Sequence, residues 1–232
     1  MRSLGQRSLD IAQRELLLGV RERPPGSNNG PEIRKYLQPC VRDIVTQVGS
    51  TTTTRTVNLN LQSSNWCCAF ACYCHANALR TGERPVHGYR AGVIELVADV
   101  KVGEGYTGRW LDVADVRSGK LVPTQGDLAV YTRAVQGRPD TAWWRHVNRV
   151  ESWHVDHFIA IGGNELQKIR RSKVLVSNSR LLGFIAYPPM NVDGLTRTPS
   201  SRPMLSEDER QEILHQVAVS LDGILRNSIW RR

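Results

Sequence analysis

Trp66-Cys67-Cys68-Ala69-Phe70-Ala71-Cys72-Tyr73-Cys74-His75-Ala76-Asn77-Ala78-Leu79 carries no Lys, Arg, Asp or Glu, and wound at 3.6 residues per turn it is apolar around its whole circumference. The pattern predicts a helix over 66–79. With no polar face for water, such a helix must be covered on every side by other elements. The flanking sequence supplies them in two blocks. N-terminal to it, residues 8–22 read as an amphipathic helix, with Ile11, Leu16 and Leu18 apolar and Gly19 near its end. Pro24-Pro25-Gly26-Ser27-Asn28-Asn29-Gly30-Pro31 is a rigid turn segment, followed by a short helix over 31–38.

C-terminal to it, one helix is expected near 90–98, and from Gly126 the period changes. Leu128–Thr132, Val147–Trp153, Phe158–Ile161, Val174–Ser177 and Leu182–Tyr187 are short β-rich runs separated by turns. Helices first and antiparallel strands after make an α+β arrangement, with the N-terminal helices packed on the sheet. The Thr/Asn/Ser-rich stretch 49–65 reads as a long surface loop. One domain is expected over 1–189, a Pro/Ser/Thr/Gly-bearing linker over 190–205, and an amphipathic C-terminal helix over 206–232 opened by Ser206-Glu207-Asp208-Glu209. There are no internal repeats.

The 232 residues are 40% hydrophobic and 23% charged, which fits a globular chain and excludes a disordered one. No stretch approaches the roughly 20 apolar residues of a membrane span. Met1 to Asp10 lacks the apolar core of a secretory signal, so synthesis in the cytoplasm is expected. The formal charge of +9 favours anionic partners, yet the basic residues are scattered and no nucleic-acid motif accompanies them; no nucleic-acid partner is expected.

Five cysteines are an odd number, and Cys67, Cys68, Cys72 and Cys74 crowd into eight residues, unlike a disulfide framework. Cys67 stands in the first helical turn, where free N–H groups and the helix dipole stabilise a thiolate. On the helix, Cys67 shares a stripe with Phe70, Ala71 and Cys74, and Cys68 one with Cys72 and His75. Local sequence leaves three readings open: a nucleophile, buried packing, or a metal module through Cys68, Cys72, Cys74 and His75.

A cysteine nucleophile needs a base, and the base an orienting partner. Arg145-His146-Val147-Asn148-Arg149-Val150-Glu151-Ser152 and His157-Phe158-Ile159-Ala160-Ile161-Gly162-Gly163-Asn164 fold as a hairpin turning near Val155. His146 and Asn164, nine residues either side, then become cross-strand neighbours, and an amide oxygen there accepts the imidazole N–H. Gly162-Gly163 permits close backbone approach.

Taken together, these segments resemble the CHAP/NlpC-type papain-like cysteine peptidases, peptidoglycan hydrolases of phage lysins, autolysins and antibacterial effectors. The resemblance runs in order over roughly 8–188. It starts at Gly19-Val20-Arg21-Glu22-Arg23-Pro24-Pro25-Gly26-Ser27-Asn28-Asn29-Gly30-Pro31 and continues through Trp66-Cys67-Cys68-Ala69-Phe70 and Pro123-Thr124-Gln125-Gly126-Asp127. His146-Val147, Gly162-Gly163-Asn164 and Leu182-Gly183-Phe184 complete it. It implies a papain-like fold, Cys67 as nucleophile with Cys68 as packing, His146 as base, Asn164 as orienter, and no cofactor or metal. It also implies a peptidoglycan stem peptide or cross-bridge as substrate, and a delivery or immunity protein as a further partner. Gln62, Trp66, Glu22 and Asn29 are the oxyanion and substrate-cleft candidates, with a turn-forming role fitting Glu22 and Asn29 equally well; Trp143 and Trp144 offer a stacking wall or ordinary core, and Asp127 is a loop-ordering residue. Two positions depart from the family: Arg145 stands where many relatives have Gly, and Gly162 where some carry Glu. The alternative function is a non-enzymatic basic module binding an anionic polymer.

Overall fold

The computed structural model describes residues 2–48, 51–58, 65–103, 105–132 and 145–188, and for 41–48, 51–58 and 145 the backbone alone. Gln62, Trp143, Trp144, the expected linker over 190–205 and the expected helix over 206–232 lie outside the described residues, as does the side chain of Arg145.

Among the described residues, five helices and eight strands follow in the order α1 (Leu4–Leu17), α2 (Pro31–Leu37), β1 (Val41–Val48), β2 (Thr51–Asn58), α3 (Cys67–Ala78), α4 (Val93–Val102), β3 (Arg109–Asp112), α5 (Val113–Arg117), β4 (Leu128–Thr132), β5 (Arg145–Trp153), β6 (His157–Glu165), β7 (Lys168–Leu175) and β8 (Leu181–Ala186). Six strands form one open antiparallel sheet in the order β3-β8-β4-β5-β6-β7, and β1 pairs with β2 as a separate hairpin. The fold is α+β.

The uncharged helix α3 is central, and nine of its residues, Cys67 to Cys72, Cys74, His75 and Ala78, are buried. α1, α2 and α4 cover it together with one face of the sheet, through Leu128, Val130, Val147, Ile161 and Ile185. Alternate residues of the same strands, Ala129, Tyr131, Val150, Ala160 and Phe184, form a second cluster on the opposite face with Leu111 and Val116.

Three expectations are corrected. The first helix spans Leu4–Leu17, not 8–22: Ser3 accepts the Gln6 N–H while the Gln6 side chain accepts the Ser3 N–H, a reciprocal cap that starts the helix earlier. Residues 51–58 are a strand rather than loop, because Thr51 to Thr54, Thr56 and Val57 are β-branched and pair with 41–48. Between the helix expected near 90–98 and Gly126 no element was expected, yet β3 adds an edge strand against β8 and α5 follows it. No helix among the described residues is long and apolar enough to cross a bilayer.

Asp127 does what a turn aspartate does best. Its carboxylate accepts the Thr124 N–H at 2.7 Å and the Tyr187 N–H at 2.8 Å, tying the turn before β4 to the chain after β8. Burial pushes its carboxyl up to about 6 against these hydrogen bonds and the nearby Arg149.

Candidate active site

Trp66 is the N-cap of α3, and no side chain caps the helix. The first turn of an α-helix points its backbone N–H groups and dipole toward an anion, and Cys67 opens that turn. Two contacts fix this helix end. The Trp66 indole N–H donates to Glu22 Oε1 at 2.9 Å, and its ring stacks on Tyr36 at 5.8 Å between centroids. A Cβ built on Gly163 would lie 2.8 Å from Trp66 Cζ3 and 2.7 Å from Phe70 Cβ, so only glycine lets β6 approach α3 this closely. Trp66 is fully buried. It is therefore an anchor, with no surface left for substrate.

Cys67, 3% exposed, sits where the helix end meets β5, and its side chain interacts with the His146 imidazole. His146 Nε2 in turn lies 3.5 Å from Glu165 Oε1, an ion-pair distance, longer than a good hydrogen bond. Neither ring nitrogen attains full hydrogen-bond geometry among the described residues. Burial opposes a charge on His146. Charge attraction from Cys67, with the polar contacts to Cys67 and Glu165, outweighs it, and the imidazole pKa rises to about 9. Glu165 shifts the other way: burial would raise it, but His146, Ser172 and Asn148 hold its carboxyl below the ordinary range. Its Oε1 accepts from Asn148 Nδ2 and its Oε2 from Ser172 Oγ.

The expected neighbour of His146 was Asn164. Past a bulge, β5 and β6 do reach the register centred on Val155, with Arg149 opposite Ile161. β6 then departs from regular pairing between Gly162 and Glu165, with Asn164 in the left-handed region at φ 57°. The Asn164 Nδ2 donates to Asn28 Oδ1 at 3.0 Å and Asn65 Oδ1 at 3.3 Å, joining three chain segments around the α3 N-terminus. The irregularity brings Glu165, three residues beyond Gly162, onto the His146 side. The carboxylate beside the imidazole is that of Glu165, a residue the sequence reading passed over.

Gly162 explains how Glu165 fits. A Cβ there would lie 1.9 Å from Asn148 Oδ1 and 2.9 Å from Glu165 Oε1. The absence of a side chain at 162 makes the room that Glu165 and Asn148 fill. Gly162→Ala is expected to displace both and, by moving Glu165 off the imidazole, to lower the His146 pKa from about 9 in a protein that still melts as a folded domain. An NMR titration of the imidazole beside a circular-dichroism melt checks this.

The other candidates divide. Glu22 is buried and holds Trp66. Asn29 is a turn former: its Oδ1 accepts from Gly30 N and Arg34 Nε, and its backbone carbonyl from Arg23 N. Cys68, Cys72 and Cys40 form a wholly buried thiol cluster, with the Cys40 and Cys72 sulfurs both directed at the Arg90 carbonyl oxygen, at 3.7 and 3.3 Å. Burial works against a thiolate at Cys72, but hydrogen bonds from Cys40, Cys68 and His87 pull its pKa well down. With no solvent access it lacks the exposure a reactive cysteine needs. His75 accepts the Val86 N–H through Nε2, and burial keeps it neutral. Cys68, Cys72, Cys74 and His75 do not converge on a shared point among the described residues.

A cavity of about 330 Å³ opens beside His146 and Glu165. No protein-family model, curated protein or solved structure matches this chain.

Proposed function

We propose that this chain is a papain-like cysteine hydrolase cutting amide bonds in bacterial cell-wall peptide, with Cys67 as nucleophile, His146 as base and Glu165 as the group that orients His146. The observation that carries the reading is the meeting of Cys67, at the start of α3, with an imidazole already paired to a half-buried carboxylate. Cys67 and His146 form a thiolate–imidazolium pair in which the Cys67 proton rests on the ring, and the thiolate attacks the amide carbonyl. Backbone N–H groups of the first turn of α3 hold the oxyanion. His146 returns the proton to the leaving amine, and water attacking the thioester releases the acid. With Nε2 turned to Glu165, Nδ1 is the nitrogen left for Cys67. The substrate class rests on the ordered motifs from Gly19 to Phe184 and on the net charge of +9, which suits an acidic polymer. A wall-cutting role places the protein at the envelope after lysis, phage carriage or delivery by a secretion machine.

Digestion of purified peptidoglycan, with products identified by mass, tests this. Wild-type protein is expected to release fragments with one new amine and one new carboxylate per cut, and Cys67→Ala none. Equal release by both refutes the nucleophile; binding to the polymer without cleavage favours the basic-module reading.

The raised imidazole pKa sets a pH limit. A group whose folded pKa is raised above 6.5 holds its proton until pH passes about 9, and only then loses the attraction that the charged ring contributes. Turnover is expected to fall as pH rises through about 9, where the acid for the leaving amine disappears. Glu165→Gln removes one source of that shift. It should move the alkaline limb to lower pH and reduce kcat by about 10²-fold. An unchanged limb in a pH–rate profile argues against Glu165 as the partner.

A further inference from the structure

The mechanism leaves four of the five free cysteines unused, and three of those four meet. Cys40, Cys68 and Cys72 are each 0% exposed. Cys40, in the short link between α2 and β1, and Cys72, on α3, aim their sulfurs at one acceptor, the Arg90 carbonyl oxygen, at 3.7 and 3.3 Å. A thiol hydrogen bond runs directly between these two sulfurs, and a second joins Cys72 to Cys68. Packing asks only for volume; it does not ask two sulfurs from different elements to converge on one carbonyl.

Geometry decides which pair can bond. Cys68 and Cys72 are four apart on α3, where Cβ atoms stand about 5–6 Å from each other, whereas a disulfide needs about 3.5–4.5 Å. That pair closes only by distorting the helix. Cys40 is under no such constraint. α2 ends at Leu37 and β1 begins at Val41, so a small shift of the link between them brings the Cys40 sulfur onto Cys72 while α3 stays intact. Cys72 is also the better attacking sulfur, because hydrogen bonds from Cys40, Cys68 and His87 favour its thiolate against burial.

We infer that Cys40 and Cys72 are a disulfide site, closed when the chain folds in an oxidising compartment and open when it folds in a reducing one. Sealed inside the folded protein the thiols meet no oxidant, so the bond forms on the folding chain. The Cys72 thiolate attacks glutathione disulfide and releases one glutathione; Cys40 then attacks the mixed disulfide and releases the second. One S–S bond breaks and one forms, and the two thiol protons and two electrons leave with the two glutathiones. The envelope placement proposed above supplies oxidising surroundings, but the bond does not depend on the hydrolase reading. It constrains the unfolded chain between α2 and α3, and so stabilises the fold.

Denatured, reduced wild-type protein is refolded in a buffer rich in glutathione disulfide and, in parallel, in reductant. Free thiols are then blocked and the peptides identified by mass, with fragmentation of any linked pair to name its two sulfurs. The oxidised sample is expected to show Cys40 linked to Cys72, with the loss of two hydrogens, and to melt about 10 °C above the reduced one. Cys68→Ala should keep the link, and Cys72→Ala should leave Cys40 a free thiol. Fragmentation of the wild-type link assigns the pair even where Cys72→Ala does not refold. A free or glutathione-capped Cys40 in oxidised wild-type protein, or Cys40 linked to another cysteine, overturns the site. So does a linked protein that melts below the reduced one, since the fold would then not accommodate the bond.

Discussion

Cys67→Ala protein is expected to lose at least about 10⁴-fold in amide hydrolysis, while Cys68→Ala protein keeps turnover within about threefold of wild type. The two residues are adjacent in sequence and differ by three percentage points in exposure, 3% against 0%, so accessibility alone does not separate them. Environment does. Cys67 meets the His146 ring, whereas Cys68 faces Cys72 and its pKa is raised well above that of an ordinary thiol by burial and by that neighbour. A thiol next to a base becomes a nucleophile; a thiol among thiols is packing. Steady-state rates for both variants, with thermal melts as the folding control, check the pair. Comparable losses in the two would mean that the helix and not the sulfur is being perturbed.

The second large effect is on stability. Arg149 is 2% exposed and donates to the Gly126 carbonyl at 2.6 Å, the Ala71 carbonyl at 3.2 Å and the Tyr187 hydroxyl at 3.1 Å. Its guanidinium also lies 5.0 Å from the Tyr187 ring centre. One side chain thereby joins α3, the turn before β4 and the chain after β8. Arg149→Ala strands those acceptors in the interior and leaves a cavity, for an expected loss of about 3–5 kcal/mol. For a chain of this size that is a fall in Tm of about 10 °C. Arg149→Met restores volume without donors and should recover part of the loss. A Tm unchanged by Arg149→Ala would mean the three acceptors find water instead.

Much of this architecture was legible in the residues themselves. The charge-free run after Trp66 announces a helix that must be covered, and the period-2 runs from Leu128 onward announce the sheet. β4 falls on the expected Leu128–Thr132, while β5, β6 and β7 are longer or displaced by a few residues. The errors have physical causes. Thr-rich polarity between 51 and 58 mimics a loop until its β-branching is weighed, and the cap at Ser3 and Gln6 lies upstream of the obvious apolar stripe. At the candidate site, the helix start and the hairpin left several readings open, and Cys67 and His146 were singled out by the family resemblance. Glu165 was not, because alternation along a strand assigns faces only while the strand is regular. A residue in left-handed backbone at 164 breaks the count, and nothing in Gly162-Gly163-Asn164-Glu165 announces where the count resumes.

The space shared by positions 162 and 165 makes the two residues interdependent. A side chain at 162 collides with Asn148 and Glu165, so the niche takes the carboxylate reaching in from 165 or a side chain at 162, not both. Substitutions at the two positions therefore do not add: the effect of any residue at 162 is defined only once the occupant of 165 is named.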